Sequence, residues 1–366
     1  MAYTTINKSN LHFNTVTWSG DSTNKNITGV GFQPDLIWGK CRNTAYNHKW
    51  YDSVRTFGND KELSSSETTV QGGSNADQYG YLSGTVSDGF TTTKGSDGGA
   101  DGYGYWNESG RTYVAWNWKA NGTGSANTDG SINTTYTSVN TTAGFSISKY
   151  TGTGSAGATV GHGLGTTPSM IIVKNLNSAG NWSVYHKDAF TSQSLPGVLY
   201  LNTTAGKAND TNVWGNSTVT INNSVFSLGD YAQTNGSGNS HIAYCFAEKT
   251  GYSKFGSYVG NASTNGTFIY TGFAPSWVMI KKTNGANHWL VFDNKRNVYN
   301  PNTNTLFPAS SGVEDASASY NVVDFLSNGM KIRYSNPDIN TSGSPYIFMC
   351  FGQSLVGSNN IPCNAR

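Results

Sequence analysis

Two D-x-x-R motifs, Asp52–Arg55 and Asp293–Arg296, are the most regular pairing of charged side chains in this chain. Each follows an aromatic residue on a hydrophobic stretch. The plain reading is a local ion pair that pins a loop, worth about 0–1 kcal/mol where exposed. His48 and His288 lie just ahead of the same rings and read as packing or turn residues rather than a metal pair. GTGSAG (152–157) matches the dinucleotide fingerprint, but ATVGHGLGTTP follows it, and a pyrophosphate site needs a helix there. It reads as a glycine-rich strand connection. The chain has no G-x-S-x-G elbow, no Walker loop and no H-E-x-x-H. Its 21 acidic residues form no cluster from which a glycosidase pair stands out. Enzyme activity is therefore not expected, nor is a cofactor or a metal.

The strongest ligand-binding candidate is KGSDGGADGYGYWNESG (94–110). Glycines give this loop reach, and Tyr103, Tyr105 and Trp106 bring flat apolar faces with polar edges. Asp97 and Asp101 would accept sugar hydroxyls or, less readily, a calcium ion. Rings displayed on a loop add contact area at low entropic cost. Two alternatives stay open: the rings fold back onto their own domain, or they pack against a neighbouring subunit. Trp214, in NDTNVWGNST (209–218), is a second candidate of the same kind.

These residues have to be positioned by something, and the chain repeats itself. Pro34, Pro168 and Pro275 each begin an apolar run that ends in Lys40, Lys174 and Lys281. Asn43, Asn177 and Asn284 follow, then Tyr51, Tyr185 and Phe292, all at constant spacing. Each unit reads as a hairpin: Pro at the start of a strand, Asn in the turn, the ring on the returning strand. DSVRTFGNDKEL (52–63) has room for one or two helical turns. DGFTTT (88–93), SVFSLG (224–229) and NGMKIR (328–333) correspond further on, as do YVAWNWKA (113–120), HIAYCFAE (241–248) and YIFMCFGQ (346–353). The last three align Tyr113 with His241 and Tyr346, Trp116 with Tyr244 and Met349, and Trp118 with Phe246 and Phe351. Cys245 and Cys350 fill the slot of Asn117 and read as small packed residues.

The expected fold is all-β: three tandem antiparallel β-sandwich modules of jelly-roll or lectin-like type, over 1–122, 123–252 and 253–356, with a tail at 357–366. Residues 121–144 read as a linker into the second module, because they lack large apolar side chains and carry turn chemistry. Composition agrees. Of 366 residues only 12% are charged, against about 25% in an average protein, while 13% are aromatic and 44 are glycine. A net charge of +2 without basic runs speaks against nucleic acid. No apolar run approaches the ~20 residues of a helical membrane span, and the start lacks a signal-peptide pattern. Four cysteines, Cys41, Cys245, Cys350 and Cys363, are too few for a disulfide framework. A soluble, reduced protein is expected.

The opening MAYTTINKS, the block GFQPDLIWGKCRNTAYNHKWYDSVR, the segment FSISKYTGTGSAGATVGHGLGTTPSMIIVKN with NWSVYHK, and the ending GSNNIPCNAR resemble virion proteins of tailed bacteriophages, especially marine and cyanobacterial ones. The resemblance covers nearly the whole chain. It implies β-sandwich modules without enzyme activity, as in tail fibre proteins, and supplies no binding residues. A fibre's long shaft repeats are missing, so the chain resembles a knob or a set of beads docked on other virion proteins. The resemblance implies a host-attachment role with cell-surface glycan as ligand; the alternative is a capsid or tail decoration protein with no ligand of its own. Synthesis in the host cytoplasm, residence in the virion and a homotrimer, on the pattern of phage fibres and knobs, complete the expectation.

Overall fold

The computed structural model describes residues 4–189, 197–216, 218–317 and 322–354. The first repeat unit holds β1 (Phe13–Ser19), β2 (Lys25–Thr28), β3 (Leu36–Cys41), β4 (Lys49–Asp52), the single-turn helix α1 (Ala76–Tyr79), β5 (Tyr81–Val86), β6 (Gly89–Thr93) and β7 (Thr112–Trp118). The next holds β8 (Tyr136–Asn140), β9 (Phe145–Thr151), β10 (Thr159–Gly161), β11 (Met170–Asn175), β12 (Ser183–His186), β13 (Leu199–Tyr200), β14 (Val225–Ser227), α2 (Ala232–Asn235) and β15 (Ser240–Phe246). The last holds β16 (Ser253–Val259), β17 (Phe268–Tyr270), β18 (Ala274–Lys282), β19 (Trp289–Asp293), β20 (Val323–Leu326), β21 (Gly329–Ile332), α3 (Pro337–Asn340) and β22 (Pro345–Gln353).

Each unit builds one larger sheet and one smaller. The larger sheets run β1-β7-β3-β4, β13-β12-β11-β15-β9-β8 and β16-β22-β18-β19. The smaller run β2-β6-β5, β10-β14 and β17-β21-β20. Pairing is antiparallel throughout these sheets, so the fold is an all-β sandwich architecture. The hairpins β3–β4, β11–β12 and β18–β19 share one register, pairing Leu36 with Asp52, Met170 with His186 and Trp277 with Asp293. Pro34 and Pro168 precede their strands; Pro275 lies within β18, where a bulge between Pro275 and Trp277 absorbs the missing donor.

The larger sheets are the middle layers, buried on both faces. Along β7, Val114, Trp116 and Trp118 face one side and Ala115 the other; β15 splits Ile242, Tyr244 and Phe246 from Ala243 and Cys245, and β22 splits Ile347, Met349 and Phe351 from Phe348 and Cys350. The second set in each unit packs against that unit's small sheet. The first set from all three units meets in one central core. This is why the strands read as unbroken apolar runs rather than alternating ones. It also replaces the picture of separate beads: Trp277 of the third unit packs 5.7 Å from Trp118 of the first, and Trp118 packs 6.2 Å from Phe246 of the second. Such edge-to-face pairs add about 0.5–1.5 kcal/mol each beyond the area they bury.

Polar contacts close the ring of units. Tyr244 Oη donates to Asp52 Oδ2 at 2.7 Å, Trp116 Nε1 donates to Asp293 Oδ2 at 2.9 Å, and His186 Nε2 lies 3.1 Å from the Phe348 carbonyl. Asp52, His186 and Asp293 hold the same register position, so the contact runs second unit to first, first to third, third to second. Trp182 Nε1 donates to the Ser64 carbonyl and Trp289 Nε1 to the Tyr200 carbonyl in the same cyclic sense.

Several expectations change here. The D-x-x-R ion pairs are not exposed loop pins, since the side chains of Asp52, Arg55, Asp293 and Arg296 are at most 1% accessible. They still brace their turns, each carboxylate accepting the backbone N–H of its arginine. His48 and His288 are not equivalent. Lys281 pairs with Trp289, so the counterpart of His48 is Trp289, and a one-residue offset in a strand changes the face. His48 is buried in the centre beside Trp38, whereas His288 packs on Phe307. The stretch 52–63 forms a turn and bridges, with no helix. The linker 121–144 contains β8, which joins the second unit's large sheet. GTGSAG connects β9 to β10 with no helix after it.

Candidate functional site

The proposed ligand loop folds back on its own unit. Trp106 is 1% exposed and Tyr105 8%, and both belong to the core between the first unit's two sheets. The cause is Gly39 in β3. A Cβ at Gly39 would stand 2.3 Å from the Trp106 ring, which therefore occupies the room where β11 and β18 carry Val173 and Ile280. Tyr105 packs edge-on to Tyr46 and Tyr79, and the Lys49 ammonium sits 3.9 Å from its ring centroid. Burial pushes the hydroxyls of Tyr105 and Tyr113 upward in pKa. Tyr103 is half-buried beneath Lys94, Asp97 is half-buried with its carboxylate bound to the Gly98 N–H, and Asp101 is exposed. Trp214 is fully buried between the second unit's sheets. The six candidates therefore do not form one exposed site; Tyr105, Trp106 and Trp214 are packing residues.

Sequence reading missed a different loop, NVYNPNTN (297–304), which directly follows the buried Asp293–Arg296 pair. A cavity of about 250 Å³ opens here, lined by Asn297, Val298, Tyr299, Asn300, Asn302 and Phe325. The ion pair supports its base: Asn302 Nδ2 donates to the Asp293 carbonyl at 2.9 Å and Asn304 Nδ2 to the Arg296 carbonyl at 3.2 Å. Burial would raise the Asp293 carboxyl, but the Arg296 guanidinium and the Trp116 indole hold it below the ordinary carboxylate value. On the far wall, Asn300 exchanges two hydrogen bonds with the Phe325 backbone. Tyr299 is 82% exposed, the most exposed of the large apolar side chains described. Asn302 is 1% exposed, and its Oδ1 has no hydrogen-bond partner.

An exposed ring beside a small cavity lined by asparagines suits a neutral ligand with hydroxyl groups and C–H faces. The sequence signal was an isolated tyrosine among turn-forming asparagines. Among the described residues no three His, Cys, Asp or Glu come together to hold a metal, and no helix is long and apolar enough to cross a membrane. Neither curated proteins nor solved structures include a match to the chain. One family matches, and it does so across all three units at once, from residue 8 to residue 354. The chain belongs to that family, DUF7483, described as a domain of unknown function.

Proposed function

We propose that this chain is a surface protein of a tailed-phage virion, a tail fibre component or receptor-binding knob, and that it attaches to host-cell glycan without catalysing a reaction. The phage reading rests on the sequence resemblance of its opening, its repeated blocks and its ending. The glycan reading rests on one observation: Tyr299, 82% exposed, lines a cavity of about 250 Å³ together with Asn297, Asn300 and Asn302. A sugar offers a C–H face to the ring and hydroxyls to the polar rim. With 12% charged residues, binding of this kind is little affected by salt.

Glycan-array binding of the native protein and of Tyr299→Ala tests the site, with the melting temperature as a folding control. Loss of a specific array signal in a variant that melts normally is the expected result. An array with no signal above background, or a signal that Tyr299→Ala leaves intact, removes the site. Labelled antibody on virions tests the location: tail-tip labelling supports attachment, and whole-head labelling supports the second reading, a decoration protein. An open strand edge on the third unit, suited to protein contact, favours that second reading.

A further inference from the structure

A second cleft, of about 550 Å³, lies between the edge strand β16 of the third unit's large sheet and the edge strand β17 of its small sheet. Lys187 and Asp188 of the second unit close one side, and Phe348 lines it as well. Val259, Phe268 and Tyr270 on its rim are 58%, 45% and 61% exposed. That cleft has a counterpart in the same chain, and the counterpart is filled. In the second unit β8 pairs with β9, setting Tyr136 against Lys149 and Ser138 against Ile147. Registers against β15 and β22 make β9 the equivalent of β16: Phe145 pairs with Phe246 as Ser253 pairs with Phe351. The segment carrying β8 also reaches the small sheet. Ile132 bridges Val160 of β10, and the Thr137 and Ser148 hydroxyls lie 3.1 Å apart.

We propose that the cleft between β16 and β17 accepts an extended, uncharged peptide strand of a partner protein, which adds to the β16 edge as β8 adds to β9. The backbone is set for it. Gly260 N–H bonds the Ser344 carbonyl, so by ladder alternation Ser253, Phe255, Ser257 and Val259 turn their backbone groups outward. The Phe255 N–H is taken by Glu248 and the Val259 carbonyl by the Thr267 hydroxyl. Ser257 is left at the centre of the open edge. Its counterpart Lys149 has its carbonyl bonded by the Thr135 N–H at 2.7 Å. Charge favours an uncharged strand: Lys187 and Lys254 both pair with Glu248, and Asp188 balances the remaining positive charge. Strand addition of this kind draws affinity from main-chain hydrogen bonds and specificity from alternate side chains. The inference does not depend on the glycan site.

The test uses the full chain and a fluorescein-labelled peptide of residues 133–141, NTTYTSVNT, in a fluorescence-anisotropy titration. Saturable binding is expected, weakened at least tenfold by Ser257→Pro, which removes the outward N–H, and by Phe268→Lys on the rim. Hydrogen exchange at Ser257 should slow when peptide is present, and Tyr299→Ala should leave peptide binding unchanged. Unchanged melting temperatures would show that the variants fold. No saturable binding, or binding that both groove variants leave intact, overturns the proposal. Concentration-dependent dimerisation abolished by Ser257→Pro also overturns it, since the edge would then belong to a second copy.

Discussion

The Tyr244 hydroxyl of the second unit donates to Asp52 Oδ2 of the first at 2.7 Å, inside a core that water does not reach. Asp52 already holds Arg55, so three polar groups from two units satisfy one another. Breaking such a set leaves a buried charge short of a partner. Tyr244→Phe should lower stability by about 1–3 kcal/mol, and Asp293→Ala by about 3 kcal/mol or more, because the buried Trp116 N–H loses its acceptor and Arg296 keeps only Glu314 as a carboxylate partner. Urea unfolding followed by tryptophan fluorescence measures both. Separate transitions for separate units would contradict the shared core, which requires one.

Acid should destabilise the protein in a defined window. His186 and His241 are fully buried, and burial lowers each pKa to about 4; His48 is pushed well below its ordinary value for the same reason. With the folded pKa below the unfolded 6.5, the unfolded chain binds more protons between the two values. Stability is therefore full above about pH 6.5 and falls as the pH drops toward 4, by up to a few kcal/mol for each histidine. Melting temperatures across pH 7 to 4 test this, and a flat profile would contradict it.

Gly39 and Trp106 should behave as one packing unit. Trp106→Ala empties a core slot and should cost about 3–5 kcal/mol. Gly39→Ala drives a methyl group into the indole and should cost about 1–3 kcal/mol. In Gly39→Val with Trp106→Ala, a branched side chain refills part of the space, as at Val173, so the double variant should be more stable than Trp106→Ala alone. Denaturation midpoints settle the order.

Cys41, Cys245 and Cys350 are buried, and burial raises all three thiol pKa values. They should be inert to a thiol reagent such as DTNB while the protein is folded. In a Cys363→Ser background, no thiol should titrate in native buffer and three should in guanidinium. Cys363 itself lies outside the described residues.

The hairpins were legible because their signal is local. Pro168, the apolar run to Lys174 and the ring at Tyr185 need only a strand, a turn and a strand, and β11–β12 supplies them in register. Trp116, Tyr244 and Met349 correspond in sequence because they share one face of one repeated sheet. Trp106 misled for the opposite reason. A tryptophan among glycines looks exposed until the empty space above Gly39, many residues away, is known. Tyr299 is one ring among asparagines and has no period to mark it.

Sequence by itself determined that the chain writes one β-unit three times, since spacing and apolar patterning are properties of the chain taken in order. The tertiary structure alone decided which face of each sheet was shared. Strands such as TYVAWNW are apolar on both sides, and only packing against the other two units distinguishes the face that meets them from the face that meets its own small sheet. It also decided which rings are core and which are surface, because burial depends on what long-range folding brings near and not on which residues are adjacent.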